Sequence, residues 1–359
     1  MLYPSRQPVR LIGGGAGVRE RVLGIDVGGT TVKWAVLETR DATVVARGSI
    51  PTAGDPHTVA ADLAAVAATP AAGDTAAIGV GVPGHVDRST GVIRFLPNLR
   101  GDWLGFPLAA TLRAATGRPV TVLNDARAFC LAEWLLGAAR GHDDVLFLTL
   151  GTGVGGGVVS GGALLTGPDD RLGEIGHLVH DRAGPTCGCG HRGCLETYAS
   201  ATAIARAAGR PTAEDVFLAL HDLQANAAVE AAGRAIGETI ASLCAVLPAD
   251  LLVIGGGVGA GLPRLRPHIE HALAERRDFI GAVDVVAARL GADAGAVGAA
   301  LAALNDLDGQ ATPTGDWGPE VPTTRRPAVG VGAAPAHERS FALPDPATEL
   351  IADDVRRWT

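Results

Sequence analysis

The alternation of apolar and polar positions along the chain predicts repeated strand and helix segments. Residues 21–38 contain an apolar strand, a Gly-Gly turn and a second strand in which apolar and polar residues alternate. The same layout of strand, glycine-rich turn and strand returns at 144–162. Each hairpin opens a region of alternating strands and helices, so the pattern predicts an α/β protein built from two related halves.

Apolar runs and helical spacing place the remaining elements. Further strands are predicted near 46–50 and over 76–84, 119–126 and 283–288, with another leading into the glycine turn at 255–257. Predicted helices cover 57–68, 126–137, 199–208, 212–221, 226–247 and 293–304, and a proline-started helix follows that glycine turn. From about residue 307 the sequence is rich in Pro, Gly, Thr and Ala without periodicity, which indicates a loosely docked or disordered tail with a short helix over 346–358.

These elements divide the chain into four parts. Residues 1–20 are predicted to be a flexible extension, and 21–125 together with the helix 293–305 to form a smaller α/β domain. Residues 126–292 are predicted to form a larger α/β domain that contains a cysteine-rich knot at 177–194, and 306–359 to form the low-complexity tail.

Composition excludes several classes of function. The 359 residues carry a net charge of −8, whereas a protein that tracks nucleic-acid phosphates has a basic domain. No apolar run approaches the roughly 20 residues that span a bilayer. The N-terminal segment is interrupted by glycines and resembles a signal peptide poorly. We therefore expect a cytoplasmic protein with no membrane or nucleic-acid partner.

Three glycine turns follow predicted strands, at Gly28–Gly29–Thr30, Gly151–Thr152–Gly153 and Gly255–Gly256–Gly257. Glycine lets backbone N–H groups approach an anion closely, so three such turns favour a cradle for nucleotide phosphates. A Walker A loop is excluded, because Lys33 is the only lysine and tryptophan follows it. A dinucleotide site at 255–261 stays a distant alternative, since its glycine spacing fits the fingerprint poorly.

Two aspartates follow buried strands and are candidates for chemistry. Asp26 lies directly before the first glycine turn, where a carboxylate can hold Mg²⁺ beside phosphates or simply cap the turn. Asp125 lies at the end of another apolar strand, at the sheet edge where α/β proteins bind ligands. There it can act as a general base towards a substrate hydroxyl, or it can cap the following helix.

Three of the five cysteines, Cys187, Cys189 and Cys194, lie within eight positions, with His191 among them and His177 upstream. A nucleic-acid finger fits poorly with the acidic charge, and a redox centre fits poorly because the cluster has no C-x-x-C pair. The cluster therefore favours a metal site over a disulfide framework, with His191 as the local candidate for a further ligand. Cys130 and Cys244 lie on apolar helix faces and are predicted to be core residues.

Several motifs together resemble the ROK family of sugar kinases. They are DVGGT at 26–30, LNDA at 123–126, GTGVGGG at 151–157, GEIGH at 173–177 and CGCGHRGCLE at 187–196, and their order and spacing match over roughly 22–305. The segment PNLRGDWLGFPL at 97–108 is similar to the sugar-contacting segment of that family. The resemblance implies two actin/hexokinase-like (ribonuclease H-like) domains around a cleft.

The resemblance also implies roles for individual residues. Asp125 would be the general base and would also contact the sugar, and further sugar contacts would come from Gly84, Asn98, Asn124, Glu174, His177 and Glu196. ATP and its phosphates would bind at Asp26, Gly28, Gly29, Thr30, Thr31, Gly151, Thr152, Gly153, Gly256 and Gly257, with the phosphates at the two hairpins, the adenosine against 255–261 and Mg²⁺ near Asp26. The family pattern names His177 with Cys187, Cys189 and Cys194 as ligands of a structural Zn²⁺, and a zinc-bound His177 would couple the metal to the sugar.

The function implied is an ATP- and Mg²⁺-dependent hexose kinase, with glucose 6-phosphorylation as the first expectation. Kinases of N-acetylmannosamine, N-acetylglucosamine, fructose or allose stay open, as does polyphosphate as the phosphoryl donor. From another class, a sugar-responsive ROK regulator is the alternative, although about twenty residues before the first strand are too few for its DNA-binding module. A sugar-binding protein without activity is disfavoured, because Asp125 is present. The resemblance also implies a homodimer or homotetramer.

Overall fold

The computed structural model describes residues 21–96, 99–219 and 221–307. Its first half contains β1 (Arg21–Val27), β2 (Thr31–Glu38), β3 (Val44–Pro51), α1 (Pro56–Ala67), β4 (Ile78–Val82), β5 (His85–Asp87), β6 (Val92–Phe95), α2 (Leu108–Thr116), β7 (Val120–Asn124) and α3 (Asp125–Leu135). Its second half contains β8 (Val145–Leu150), β9 (Val154–Ser160), β10 (Ala163–Leu165), α4 (Glu196–Ala199), α5 (Ala201–Ala207), α6 (Ala213–Leu218), α7 (Leu223–Cys244), β11 (Leu251–Gly255), α8 (Leu262–Ala274), α9 (Arg277–Ile280), β12 (Asp284–Ala287) and α10 (Ala294–Leu307).

Two five-stranded sheets organise these elements, and they have matching topology. The first has the order β3-β2-β1-β4-β7 and the second the order β10-β9-β8-β11-β12. In each sheet an antiparallel hairpin, β1–β2 or β8–β9, joins two further strands that run parallel to its first strand. The carboxyl ends of the parallel strands therefore meet at one edge of each sheet, where α/β proteins bind ligands.

Helix α10 packs closely against the first sheet and against α3. A methyl group on Gly24 in β1 would lie 1.8 Å from the carbonyl oxygen of Ala296, and one on Gly79 in β4 would lie 1.8 Å from that of Ala299. A methyl group on Gly298 would lie 1.7 Å from the carbonyl oxygen of Ala128 in α3. Only glycine permits this approach, so α10 and α3 form one buried layer that also contacts apolar residues of the second sheet.

The elements predicted from the sequence are confirmed within the described residues, with shifts at their ends. Helix α7 begins at Leu223 instead of 226, because the side chain of Asp222 accepts hydrogen bonds from the first turn. Helix α10 extends to Leu307, beyond the predicted 305, and the carboxylate of Asp306 accepts a hydrogen bond from the hydroxyl of Thr121. The strands β5, β6 and β10 and the helix α2 were not predicted, because runs of three to nine residues give too little periodicity.

Some predictions concern parts of the chain without a structural description. The extension over 1–20 and the tail beyond 307, with its short helix at 346–358, lie outside the described residues. Among the helices that are described, none combines the length and the apolar character needed to cross a membrane.

Candidate active site

Asp125 occupies the first turn of α3, directly after β7 ends. The residue that caps this helix is Asn124, whose Oδ1 accepts a hydrogen bond from the backbone N–H of Arg127 at 3.1 Å. Asp125 Oδ1 accepts from the N–H of Ala126 at 2.8 Å. Asn124 thus fills the capping role that was the structural alternative for Asp125, and the aspartate lies where the helix dipole favours a negative charge.

Asp26 and Asp125 lie at the same edge of the first sheet. Asp26 pairs with Gly81 of β4 in parallel register, and the next residue of β4, Val82, pairs with Asn124. A methyl group on Gly81 would contact the Cα of Asp125 at 3.5 Å. The two carboxylates therefore lie on either side of Gly81, which has no side chain. The negative charge of Asp26 acts on the carboxyl of Asp125.

The surroundings of this pair raise the pKa of both carboxyls. Burial raises the pKa of Asp125 to about 7, and the nearby charge of Asp26 contributes to the rise. Burial also raises the pKa of Asp26 to about 6, although Lys33 opposes the shift. Lys33 pairs with Asp26 across the β1–β2 hairpin, and its Nζ donates to the carbonyl of Ala292 at 3.3 Å. A carboxyl that titrates near neutral pH is suited to take a proton from a substrate.

Asn124, the residue before Asp125, is hydrogen-bonded to Gly84. Asn124 Nδ2 donates to the carbonyl of Gly84 at 3.0 Å, which joins the predicted sugar contacts at these two positions. Gly84 has to be glycine, because a methyl group there would lie 2.0 Å from the carbonyl oxygen of Phe95. Asn98, another predicted sugar contact, lies outside the described residues.

Glu174 lies directly before a 3-10 turn, Ile175–His177. Its Oε1 accepts from Nη2 of Arg127 at 2.8 Å, and its Oε2 lies 4.0 Å from Nε2 of His177. Nε2 of His85 lies 3.9 Å from Oε1 of Glu174. Two of the predicted sugar contacts, Glu174 and His177, are thus adjacent.

The structure brings together four side chains that can hold a metal ion, namely those of His177, Cys187, Cys189 and Cys194. Their ligand atoms all lie within 4.8 Å of one another. Nδ1 of His177 lies 3.6 Å from Sγ of Cys187, and the Sγ atoms of Cys189 and Cys194 are 3.6 Å apart. Tetrahedral zinc with bonds of about 2.0–2.3 Å requires ligand separations of about 3.5–3.8 Å, so this donor set fits Zn²⁺.

Backbone pairing explains why His177 joins the cysteines and His191 does not. Leu195 N–H donates to the carbonyl of Leu178 at 2.9 Å, so the chain after His177 runs beside the chain after Cys194. His191 is exposed, and its carbonyl accepts from the N–H of Cys187 at 2.7 Å within the cysteine loop. The gathered donors favour the ligand set that the family pattern implies.

Glu196 joins the cysteine cluster to the second glycine turn. Its Oε2 accepts from the N–H of Val154 at 3.0 Å, and a methyl group on Gly153 would lie 2.5 Å from that oxygen. Its Oε1 lies 3.5 Å from Sγ of Cys187. A predicted sugar contact therefore touches the hairpin that is predicted to hold phosphates.

The three glycine turns differ in conformation. In the first, Gly28 N–H donates to the carbonyl of Thr31 at 3.1 Å, and Gly29 and Thr30 are exposed at its tip. In the second, Gly151 N–H donates to the carbonyl of Gly153 at 3.0 Å, and Thr152 is exposed between them.

In the third, Gly256 has φ +84° and touches the backbone of Leu150, and Gly257 begins a 3-10 turn. Each turn follows the carboxyl end of a strand, as predicted, and the third lies against the last residue of β8, which the second turn follows.

The side chains that hold these groups together were not predicted from the sequence. Arg127 is 1% exposed and donates to Asn124, Gly156, Asp170 and Glu174. Asp170 is 1% exposed, and its Oδ2 accepts from the backbone N–H of Asn124 at 2.7 Å. An arginine among alanine, phenylalanine and cysteine on a buried helix was the available signal, since a buried charge needs partners.

Comparison with known proteins places the site in context. The model of the ROK family matches residues 22–306. The glucokinase of Thermotoga maritima is 35% identical over 306 residues, which cover 78% of this chain and 96% of that protein. The N-acetylmannosamine kinase of Escherichia fergusonii is 36% identical over 292 residues, which cover 79% of this chain and 98% of that protein.

Among solved structures, the ROK family glucokinase from Streptomyces griseus in complex with glucose and AMPPNP superposes with a TM-score of 0.67 at 32% identity. The match covers 79% of this chain and 99% of that one. The predicted family and the predicted fold, two actin/hexokinase-like units, are confirmed.

Proposed function

The chain belongs to the ROK family, and we propose that this hexose kinase transfers the γ-phosphoryl group of ATP to the 6-hydroxyl of glucose. The observation that carries the proposal is the position of Asp125, a carboxyl with a raised pKa at the N-terminus of α3, directly after Asn124, one of the residues proposed to bind the sugar. Relatives named as glucokinases and a related structure holding glucose and AMPPNP support the choice of substrate and donor.

In the proposed reaction, Asp125 accepts the proton of the 6-hydroxyl as the hydroxyl oxygen attacks the γ-phosphorus. The bond between the γ-phosphorus and the bridging oxygen breaks, and ADP leaves. Asn124, Glu174, His177 and Glu196 orient the sugar, because each offers polar atoms that match hydroxyl groups. An unpaired polar group in a closed cleft costs about 1–3 kcal/mol, which favours a polyhydroxylated ligand over an apolar one.

The glycine turns are proposed to receive the phosphates of ATP. Backbone N–H groups at Gly28–Thr31 and Gly151–Gly153 can approach phosphate oxygens closely because few side chains intervene. Gly256 and Gly257 are proposed to lie near the adenosine. These turns end strands of different sheets, so the phosphates would lie between the two halves, next to Asp125.

Asp26 is proposed to hold Mg²⁺, directly or through water. Its carboxylate is partly buried near the end of β1, and a methyl group on Gly295 at the start of α10 would lie 2.5 Å from its Oδ2. A desolvated carboxylate oxygen at a phosphate site fits a hard cation. When bound, Mg²⁺ neutralises charge on the phosphate oxygens.

The cysteine cluster is proposed to hold a structural Zn²⁺ through His177, Cys187, Cys189 and Cys194. Four protein ligands close the coordination sphere, so this metal would support the fold and not the chemistry. His177 Nδ1 faces the sulfurs while its Nε2 faces Glu174, which leaves the second nitrogen for the sugar.

A sugar panel tests the proposed function. With ATP as donor, we expect ADP release to be fastest with glucose, as measured by a coupled assay of kcat/KM for glucose, N-acetylmannosamine, N-acetylglucosamine, fructose and allose. N-acetylmannosamine is the second candidate, because a relative with that activity is 36% identical. Polyphosphate replaces ATP in a parallel arm. Absence of turnover with every sugar and both donors would refute the kinase proposal.

The rate is also expected to rise with pH as the carboxyl of Asp125 loses its proton. The base works only when deprotonated, and its pKa is raised to about 7. We therefore expect kcat/KM for the sugar to fall about tenfold per pH unit below pH 7, and to level off above it. An aspartate with an ordinary pKa of about 3.9 would leave the profile flat from pH 5 to 8, which would contradict the assignment.

A further inference from the structure

Arg127 is a buried cation at the centre of the proposed sugar site. Its side chain is 1% exposed, whereas that of its partner Glu174 is 33% exposed. Taking a guanidinium out of water is costly, so a buried arginine persists only where several acceptors surround it. Here the four acceptors come from three segments of the chain.

Each terminal nitrogen of Arg127 binds two acceptors. Nη1 donates to Oδ1 of Asn124 at 3.2 Å and to the carbonyl of Gly156 at 2.8 Å. Nη2 donates to the carbonyl of Asp170 at 3.1 Å and to Oε1 of Glu174 at 2.8 Å. One planar group thereby fixes the cap of α3, the strand β9 after the second glycine turn, and the segment that carries Glu174.

The ion pair makes the two oxygens of Glu174 unequal. Oε1 accepts from Arg127 at 2.8 Å, so Oε2, 4.0 Å from Nε2 of His177, is the less engaged oxygen and the one favoured to receive a sugar hydroxyl. In an ion pair the carboxylate only accepts hydrogen bonds, so the hydroxyl has to donate. The buried side chain of Arg127 therefore sets the orientation of Glu174.

We propose that Arg127 is a positioning residue for sugar binding, which holds Glu174 and Asn124 in the geometry that receives the hexose. The inference rests on the proposed hexose kinase function. Lysine cannot take this role, because a single ammonium has three donors on one atom and cannot reach the same four acceptors as a planar fork. Asn124 is also held by its own bond to the carbonyl of Gly84 and by the backbone N–H of Arg127, so the effect of the Arg127 side chain on the sugar should pass mainly through Glu174.

The test compares Arg127→Met and Arg127→Lys with Arg118→Met as a matched control. Arg118 is another buried arginine whose guanidinium binds carbonyls of Ala67 and Ala72, in the first half of the chain away from Glu174. We expect both Arg127 variants to raise the KM for the hexose by about 10- to 100-fold, with KM for ATP changed less than about threefold. Arg118→Met should lower the melting temperature and leave the KM for the hexose unchanged.

A double-mutant cycle with Glu174→Gln separates positioning from general destabilisation. In the Glu174→Gln background, Arg127→Met should raise the KM for the hexose by less than about threefold further, because its partner is already neutral. If Arg127→Met does not fold, Arg127→Lys, which keeps the charge, enters the same cycle.

The proposal is overturned if the Arg127 variants lose thermal stability but keep the wild-type KM for the hexose, as expected of Arg118→Met. It is also overturned if the effects of Arg127 and Glu174 are additive. Failure of the proposed function is a different result, since the wild type would then turn over no hexose. Calorimetric binding of glucose to the same variants would still decide the role of Arg127.

Discussion

Replacement of Asp125 by asparagine is expected to lower kcat with glucose and ATP by about 10²- to 10⁴-fold, the range that a general base contributes. Asparagine has nearly the same shape, and its Oδ1 can keep the hydrogen bond from Ala126 N–H. The loss would therefore come from the missing proton acceptor. Steady-state measurement of ADP release, with the KM for glucose determined in parallel, checks the expectation.

The same substitution should not destabilise the protein. The pKa of Asp125 is about 7 in the folded state and near 3.8 when unperturbed, so folding disfavours its ionised form. The wild type consequently loses stability as the pH rises from about 4 to about 7, and a neutral asparagine avoids that loss. At pH 8 we expect a melting temperature for Asp125→Asn that equals or exceeds that of the wild type.

Asp222→Asn provides a control for Asp125→Asn, because Asp222 also lies at a helix N-terminus but caps α7 and binds Arg210. That change should affect stability and leave kcat within about twofold of the wild type. Turnover by Asp125→Asn within a few-fold of the wild type would remove Asp125 as the proposed base.

The second large effect is expected at the cysteine cluster. Removing an outer-shell partner of a metal ligand lowers metal affinity by about 10- to 100-fold. His177→Ala should lower the affinity for Zn²⁺ by more than this, because it removes a direct ligand. His191→Ala should keep the metal, since His191 is exposed and takes part in the loop through its backbone. Zinc content after dialysis against a chelator, measured for both variants and the wild type, makes the comparison.

Loss of the metal should also weaken sugar binding. Cys187, Glu196 and His177 are neighbours, so a metal bound to the cluster orients two of the proposed sugar contacts. Cys194→Ser should therefore lose zinc, unfold at a lower temperature and show a raised KM for the sugar. If His191→Ala lost zinc while His177→Ala retained it, the ligand assignment would be reversed. Zinc-free wild type with unchanged stability would contradict a structural metal.

Much of the fold follows from local pattern. The two glycine hairpins, the long helix α7 and the strands β1, β8 and β11 are predictable because their apolar runs are long and their turns carry glycine. The short β5–β6 hairpin and α2 are not, because three- to nine-residue segments depend on tertiary packing. Within the site, motifs pointed to Asp125, Glu174 and the cysteines.

By itself the sequence determined the fold class, the family, the candidate base and the candidate metal ligands, because these depend on residue types at fixed spacings. Only the tertiary structure decided how they are joined. It gathered His177 with the cysteines, made Asn124 the cap instead of Asp125, and placed Arg127 against Glu174, 47 positions along the chain. The reason is physical: a buried charge or a ligand set finds its partners across the fold, where spacing along the chain carries no information.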